Sequence, residues 1–341
     1  MKKIIILVGI ILLLSGCYDY KELNDMSIVS AIGIDYVDNK YQVSFEVTES
    51  SKDGSSTEIQ TKLVTGSHSN ISDAFNEAMN KTDKEVYLEH VELLVVSKSL
   101  AEYGLNDCLD YIIRDTKINN NYFVVVSDNP KEILTSHEEN KSMSQIMVDI
   151  VSYTQGNTNI DDLDILVSKY ITGKEDIALP YITLNDKMIE YNKIAYFNGD
   201  KMVGEMDYKM YSFLVLDTKD ILFTSNGNTI KAYDKKISLE VKNNKIIINI
   251  KVNGQVNEIS KDINLKDADS YSKLEKVMNE QIKKESIKFI DTIIDRDSDL
   301  LGFKDIYYKK YKRNINKFKY EVNVSTTINK NGTIYEVLND N

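Results

Sequence analysis

Residues 91–127 read VELLVVSKSLAEYGLNDCLDYIIRDTKINNNYFVVVS, and the order of textures in that stretch decides the fold class. An apolar run of strand length, VELLVVS, gives way to a helical pattern around 99–115, and a second apolar run, NYFVVVS, closes the stretch. Within the helical part, Leu105, Cys108, Leu109 and Ile112 fall on one face. The same alternation continues downstream. Helices are expected near 140–153 and 161–172, with apolar faces that include Met143, Ile146, Met147 and Ile150, then Leu163, Val167 and Tyr170. Strand and helix interleave throughout, so this part of the chain is mixed α/β.

Upstream, SIVSAIGIDY and YQVSFEVTES flank a DNK turn and read as a hairpin. In the second strand Tyr41, Val43, Phe45 and Val47 alternate with Gln42, Ser44 and Glu46, the period of a half-buried strand. SKDGSST reads as a polar loop and EIQTKLVTG as a third strand. Ile71, Ala74, Phe75, Ala78 and Met79 recur at helical spacing behind the cap residues Ser69 and Asn70.

Beyond ALPYITLND the texture shifts to long extended segments: KIAYFNGDKMVGEM, SFLVLD, TIKAYDKKISLEV and KIIINIKVNGQV. KNNK between the last two reads as a hairpin turn. One long helix follows, marked by Leu274, Met278, Ile282, Ile287, Ile290 and Ile294, with Ser272-x-x-Glu275 as a capping box near its start. FKYEVNVSTTI, an NKNG turn and IYEV end the chain as strand, turn and strand. The expected architecture is α+β or mixed α/β and multidomain. It has mixed sheets flanked by helices, and a strand-rich C-terminal domain carrying one long helix. The main boundary falls near 186–192, dividing an N-terminal region 17–190, itself two α/β subdomains, from a C-terminal domain 191–341. No fixed-period repeat is visible.

No catalytic constellation emerges. G-x-S-x-G, the phosphate-binding glycine loops, H-E-x-x-H and C-x-x-C are all missing from the sequence. His68, His90 and His137 lie far apart, without metal-ligand partners at local spacing. Asp161, Asp162 and Asp164 lack the glycine and terminal glutamate of a calcium loop and read as first-turn acids favoured by a helix dipole. Asp295, Asp297 and Asp299 carry little signal in a chain with 53 acids. Lys309, Lys310, Lys312 and Arg313, interleaved with Tyr307, Tyr308 and Tyr311, read as a solvated or partner-facing strip rather than a nucleic-acid patch, because the formal charge is −11. No metal, cofactor or catalytic residue is expected.

The N-terminus carries the sharpest local signal. Met1-Lys2-Lys3 precedes eleven apolar residues, Ile4 to Leu14, too few for a span of roughly 20, so residues 1–16 read as a signal peptide. Leu14-Ser15-Gly16-Cys17 resembles the bacterial lipobox. That resemblance implies cleavage before Cys17, which would carry S-linked diacylglycerol and an N-acyl chain such as palmitate. Loss of Lys2 and Lys3 takes the charge from −11 to −13, a surface repelled from anionic headgroups. Attachment would therefore rest on acyl chains, at about 0.8 kcal/mol per buried CH₂. With Cys17 acylated, Cys108 is left without a disulfide partner and reads as a buried structural residue.

After the lipobox, CYDYKELNDMSIVSAIGID resembles the opening of the C subunits of bacterial spore germinant receptors, the Ger(x)C lipoproteins. EHVELLVVSKSLAEYGLNDCLDYIIRDTKINNNYFVVVSDNPKEIL, LPYITL, AYFNGDKMVGEM and DLLGF…YEVNVSTTINKNGTI are similar to later segments of that family, in order. Tyr18 stands where an aromatic, often tryptophan, is typical, and the tryptophans usual in the last domain are absent. The resemblance implies three mixed α/β domains outside the inner membrane of the spore, held there by lipid. It implies a non-enzymatic role in assembly or coupling with the integral membrane A and B subunits of a nutrient germinant receptor. It assigns germinant binding to the B subunit and leaves direct binding of a small molecule by this chain open. The rival is a lipid-anchored solute-binding protein of a transporter, which would have two lobes of βα units around a hinge.

Overall fold

The structure, a computed structural model, describes residues 26–53, 56–114, 118, 122–136, 142–154, 163–185, 188–216, 218–260, 263, 265, 268–315 and 317–329. Residues 1–25, with Cys17 and Tyr18, and His137, Asp161, Asp162, the rest of the NKNG turn after Asn329 and the final IYEV lie outside these residues.

Strands β1 (Met26–Val37) and β2 (Lys40–Asp53) form the first hairpin. Both of its turn residues, Asp38 and Asn39, are left-handed, at φ 51° and 57°. Short polar side chains tolerate that conformation, and it matches the twist of the two strands. β3 (Ser56–His68) pairs with β2 in a ladder that runs out to Asp53 and Ser56, so most of SKDGSST, expected as a loop, is strand. Helix α1 (Ile71–Met79) starts on Asn70, whose side chain accepts the Asp73 N–H at 2.8 Å. It packs directly on β3 because Gly66 has no side chain: a Cβ there would sit 2.2 Å from the Ala74 carbonyl oxygen.

The crossover units follow. β4 (Glu85–Tyr87) and β5 (Leu93–Ser97) both run parallel to β1. The expected single helix around 99–115 is two, α2 (Lys98–Tyr103) and α3 (Asn106–Arg114). The break is at Gly104, φ 137°, where the chain turns so that the Leu105 N–H reaches the Asp200 carbonyl at 3.0 Å. β6 (Phe123–Ser127) precedes a short helix that sequence periodicity does not announce, α4 (Pro130–Thr135), then α5 (Met143–Thr154) and α6 (Leu163–Thr172). β7 (Ala178–Asn185) returns parallel to β6, and β8 (Met188–Asn198) and β9 (Lys201–Asp207) add an antiparallel meander. The sheet order is β3-β2-β1-β5-β6-β7-β8-β9, with β4 beside β1. β7 and β8 are paired neighbours in this one sheet, so the expected boundary near 186–192 falls within it.

Helices cover both faces of this sheet. Leu94, Val96, Val124 and Val126 pack with buried residues of α1, α2, α3 and α6, while Leu93, Val95 and Val125 pack with those of α4 and α5. The half-buried reading of β2 is thereby corrected. Ser44 and Glu46, on its polar face, are 4% and 0% exposed. Glu46 accepts the Ser30 hydroxyl and the Met143 backbone N–H, each at 2.7 Å, and so caps the start of α5 from across the sheet.

The second body opens with a further correction. SFLVLD was expected to be extended, yet Tyr208–Leu214 is a helix, α7, capped by Asp207, which accepts the Lys209 N–H at 2.8 Å. The cap and the burial of Tyr211, Phe213 and Leu214 override the local strand preference. β10 (Ile221–Ser225), β11 (Asn228–Lys242), β12 (Lys245–Glu258) and β13 (Tyr320–Asn329) form a four-stranded sheet in that order, antiparallel except for the β12–β13 pair. Helix α8 (Ala268–Ile294) lies on one face, burying Leu274, Met278, Ile282, Phe289, Ile290 and Ile293 with Ile246, Ile248 and Ile250. Ser272 and Glu275 are inside α8, so they do not form its capping box. Glu275 and Asn279 instead accept the Ile328 and Thr326 N–H groups of β13, at 2.9 and 2.7 Å, satisfying part of the sheet edge. A last helix, α9 (Phe303–Tyr311), follows a short loop. Ala178, Ile194 and Tyr196 of the large sheet belong to the same buried cluster as α8 and the small sheet, so the two bodies share a core. The architecture is mixed α+β with one long helix in a strand-rich C-terminal half, and the second half is not another lobe of βα units. No described helix is long and apolar enough to cross a membrane.

Candidate functional site

The polar chemistry that ties the two bodies together centres on two aspartates, 123 residues apart. Asp176 precedes β7 and Asp299 lies in the loop between α8 and α9. The Asp176 N–H donates to the Asp299 carbonyl at 3.0 Å, and the Asp299 N–H donates back to the Asp176 carboxylate at 2.7 Å. The other carboxylate oxygen of Asp176 accepts the Gly199 N–H, at 3.0 Å, from the β8–β9 turn. Asp299 in turn accepts the Phe303 and Lys304 N–H groups, at 2.7 and 2.8 Å, and caps α9. One buckle thus fixes three loops and a helix start. Asp299 is 3% exposed. Burial raises its carboxyl above the usual aspartate range, against the opposing pull of the two N–H donors and Lys304.

Beside the buckle, a cleft of about 680 Å³ separates α2 and β9 of the first body from the α8–α9 loop of the second. Its walls carry Lys98, Glu102, Glu205, Arg296 and Asp297. Lys98 and Lys193 both pair with Glu205, at 3.5 and 3.0 Å. Burial works against ionisation of Glu205, but the Lys193 hydrogen bond and the Lys98 charge prevail and hold its carboxyl below the usual glutamate range. The cleft lining includes no serine, cysteine or histidine. Its charged side chains can exchange ion pairs with a polar partner.

Two matches with protein families span this architecture. Residues 19–184 match the model of a spore germination protein N-terminal domain, and residues 192–332 match the model of a spore germination B3/GerAC-like C-terminal domain. The chain belongs to the Ger(x)C family of spore germination proteins. Among its relatives, spore germination protein KC of Bacillus subtilis (strain 168) is 24% identical, over 91% of this chain and 87% of its own length. Spore germination protein GerQC of Bacillus cereus is 23% identical, over 90% of each. The crystal structure of the GerBC protein has the same fold, with a TM-score of 0.54 at 14% identity, over 91% of this chain and 99% of that one. In this Ger(x)C chain the two family models abut inside the large sheet, the first ending in β7 and the second beginning in β8.

The residues singled out in the sequence resolve as follows. Cys108 is 1% exposed on α3, with Leu105, Leu109 and Ile112 buried around it. Burial pushes its thiol up to about 12, so it is an inert core residue. His68 Nδ1 lies 3.3 Å from Asp73, and the His90 ring packs edge-on against Tyr87. No group of three metal-ligating side chains occurs among the described residues. Of the three acids after α8, Asp299 is buried and caps a helix, whereas Asp295 and Asp297 are exposed. Sequence reasoning passed over Asp176, Asp299 and Glu46. A carboxylate on the polar side of a strand pattern, or in an acid-rich loop, looks solvated until a distant helix start arrives to use it.

Proposed function

We propose that this chain is the lipid-anchored, non-enzymatic C subunit of a nutrient germinant receptor complex required for spore germination. Its part is assembly or signal coupling with the integral membrane subunits A and B. The observation that carries the reading is the tandem match of both spore germination domains from residue 19 to 332, directly behind the lipobox-like Leu14-Ser15-Gly16-Cys17. In this reading residues 1–16 are removed on export and Cys17 carries the acyl chains. Residues 17–190 and 191–341 then stand on the exported side of the spore's inner membrane, with the Asp176–Asp299 buckle holding them in register. Two or three acyl chains retain a protein that one chain holds only marginally.

The test is Cys17→Ala in the sporulating organism. The expected result is a folded protein lost from the membrane fraction, with impaired response to nutrients. Full membrane retention of Cys17→Ala would show that acyl chains on Cys17 do not hold the chain and would overturn the anchor.

A further inference from the structure

We infer that the end of the small sheet formed by the β11–β12 turn, the C-terminus of α9 and the start of β13 is a docking face for an anionic lipid surface. The basic and aromatic residues of 307–313 do not lie along one helix only. The fold brings them against the β11–β12 turn. Tyr307 and Arg313 both bond to the Asn244 side chain, and the Asn244 N–H donates to the Tyr311 hydroxyl. The Arg313 guanidinium sits over the Tyr307 and Tyr311 rings, at 5.9 and 5.6 Å. β13 enters at the same end, where the Ile246 N–H donates to the Lys319 carbonyl. Lys242 and Lys245 flank the turn, and Lys310, Lys312, Lys317 and Lys319 come from the helix end and the loop after it; all six are exposed.

Charge complementarity names the occupant. Lys309 is neutralised by Asp305 at 2.6 Å, but those six lysines and Arg313 have no ion pair among the described residues. A chain with a formal charge of −11 therefore concentrates unpaired cations at one end. Most of these cations are lysines, point charges suited to a diffuse field of headgroups, and the single arginine is already committed to Asn244 and Tyr307. Tyr308 and Tyr311 remain 49% and 36% exposed between them, and tyrosine favours the headgroup level of a bilayer. The net charge repels an anionic membrane as a whole, but screening within about 8 Å lets the local cations decide at contact.

The inference rests on the membrane-tethered reading above, and the experiment separates the two. The full acylated chain is reconstituted in phosphatidylcholine vesicles with and without phosphatidylglycerol. An environment-sensitive probe is attached at Asn314→Cys, and a control probe at Ser69→Cys in the first body. Co-flotation with vesicles reports the anchor, and quenching of the probe by lipid-borne quenchers reports docking. The expected result is quenching at position 314 only, dependent on phosphatidylglycerol and reversed by salt. Lys310→Ala and Lys312→Ala should each lower the docked-to-free ratio about fivefold while flotation is unchanged. Flotation without quenching at 314 would overturn the docking face and leave the anchor standing, whereas loss of flotation would refute the anchor. Protection of the probe that requires other membrane proteins and ignores phosphatidylglycerol would assign the face to an acidic protein and also overturn the proposal.

Discussion

Strand β5 and strand β12 are both rich in branched apolar residues, yet they solve opposite problems. In β5 every residue is buried, Leu93 against one layer of helices and Leu94 against the other. In β12 the same chemistry alternates. Ile246, Ile248 and Ile250 are buried beneath α8, while Ile247 and Asn249 between them are only partly covered. The parallel centre of the first sheet, wrapped by crossover helices, has no outer face there, whereas a sheet with one long helix across it keeps one. The first body therefore buries its central strands on both faces, and the second keeps one face of its sheet partly open.

The sharpest way to break this comparison is by paired truncation. Leu93→Ala and Leu94→Ala, adjacent but on opposite faces, should each cost about 2–5 kcal/mol in chemical denaturation. In β12, Ile248→Ala should cost as much, but Ile247→Ala less than about 1 kcal/mol. Equal costs at 247 and 248 would mean that the second sheet is covered on both faces. Next in size is Gly66→Ala, which forces a Cβ into the backbone of α1. A loss of about 1–3 kcal/mol is expected, with amide exchange speeding up in α1 before β5.

Asp299→Ala tests what joins the two bodies. It leaves the Phe303 and Lys304 N–H groups without their acceptor and should lower stability by about 1–3 kcal/mol. Proteolysis is expected first in the α8–α9 loop. The smallest effect is one of pH. Burial raises the Asp299 carboxyl, so the folded state holds its proton more tightly than the unfolded chain does. Its contribution is therefore fully present below the unfolded aspartate value of about 3.9 and is lost as pH rises through the raised folded value. Urea unfolding across that window should show wild type losing stability relative to Asp299→Asn as pH increases. A difference that stays flat with pH would contradict the burial argument.

Much of the fold was legible because local and global preferences agreed. Alternation and turn chemistry marked β1–β2 and β11–β12; in the second of these the turn residues Asn243 and Asn244 are left-handed, at φ 49° and 62°. Helical spacing marked α1 and α8. The errors came where tertiary contacts overrode sequence texture. Tyr208–Leu214 became helix under an aspartate cap, the helix at 99–115 broke at Gly104 to meet Asp200, and Glu46 was buried by a helix nearly 100 residues away. The junction was illegible for the same reason: Asp176 and Asp299 mean nothing separately. The basic strip was legible as charge, but its position against the β11–β12 turn needed the fold.

The most direct test of the central claim is purification of the tagged full chain from detergent-solubilised spore inner membrane, with stoichiometry measured by mass spectrometry. Constant-ratio recovery of two integral membrane proteins, one of them permease-like, is expected, with no nutrient binding by the chain alone in calorimetry. Recovery of the chain by itself, with micromolar nutrient binding, would contradict the claim and favour a solute-binding protein.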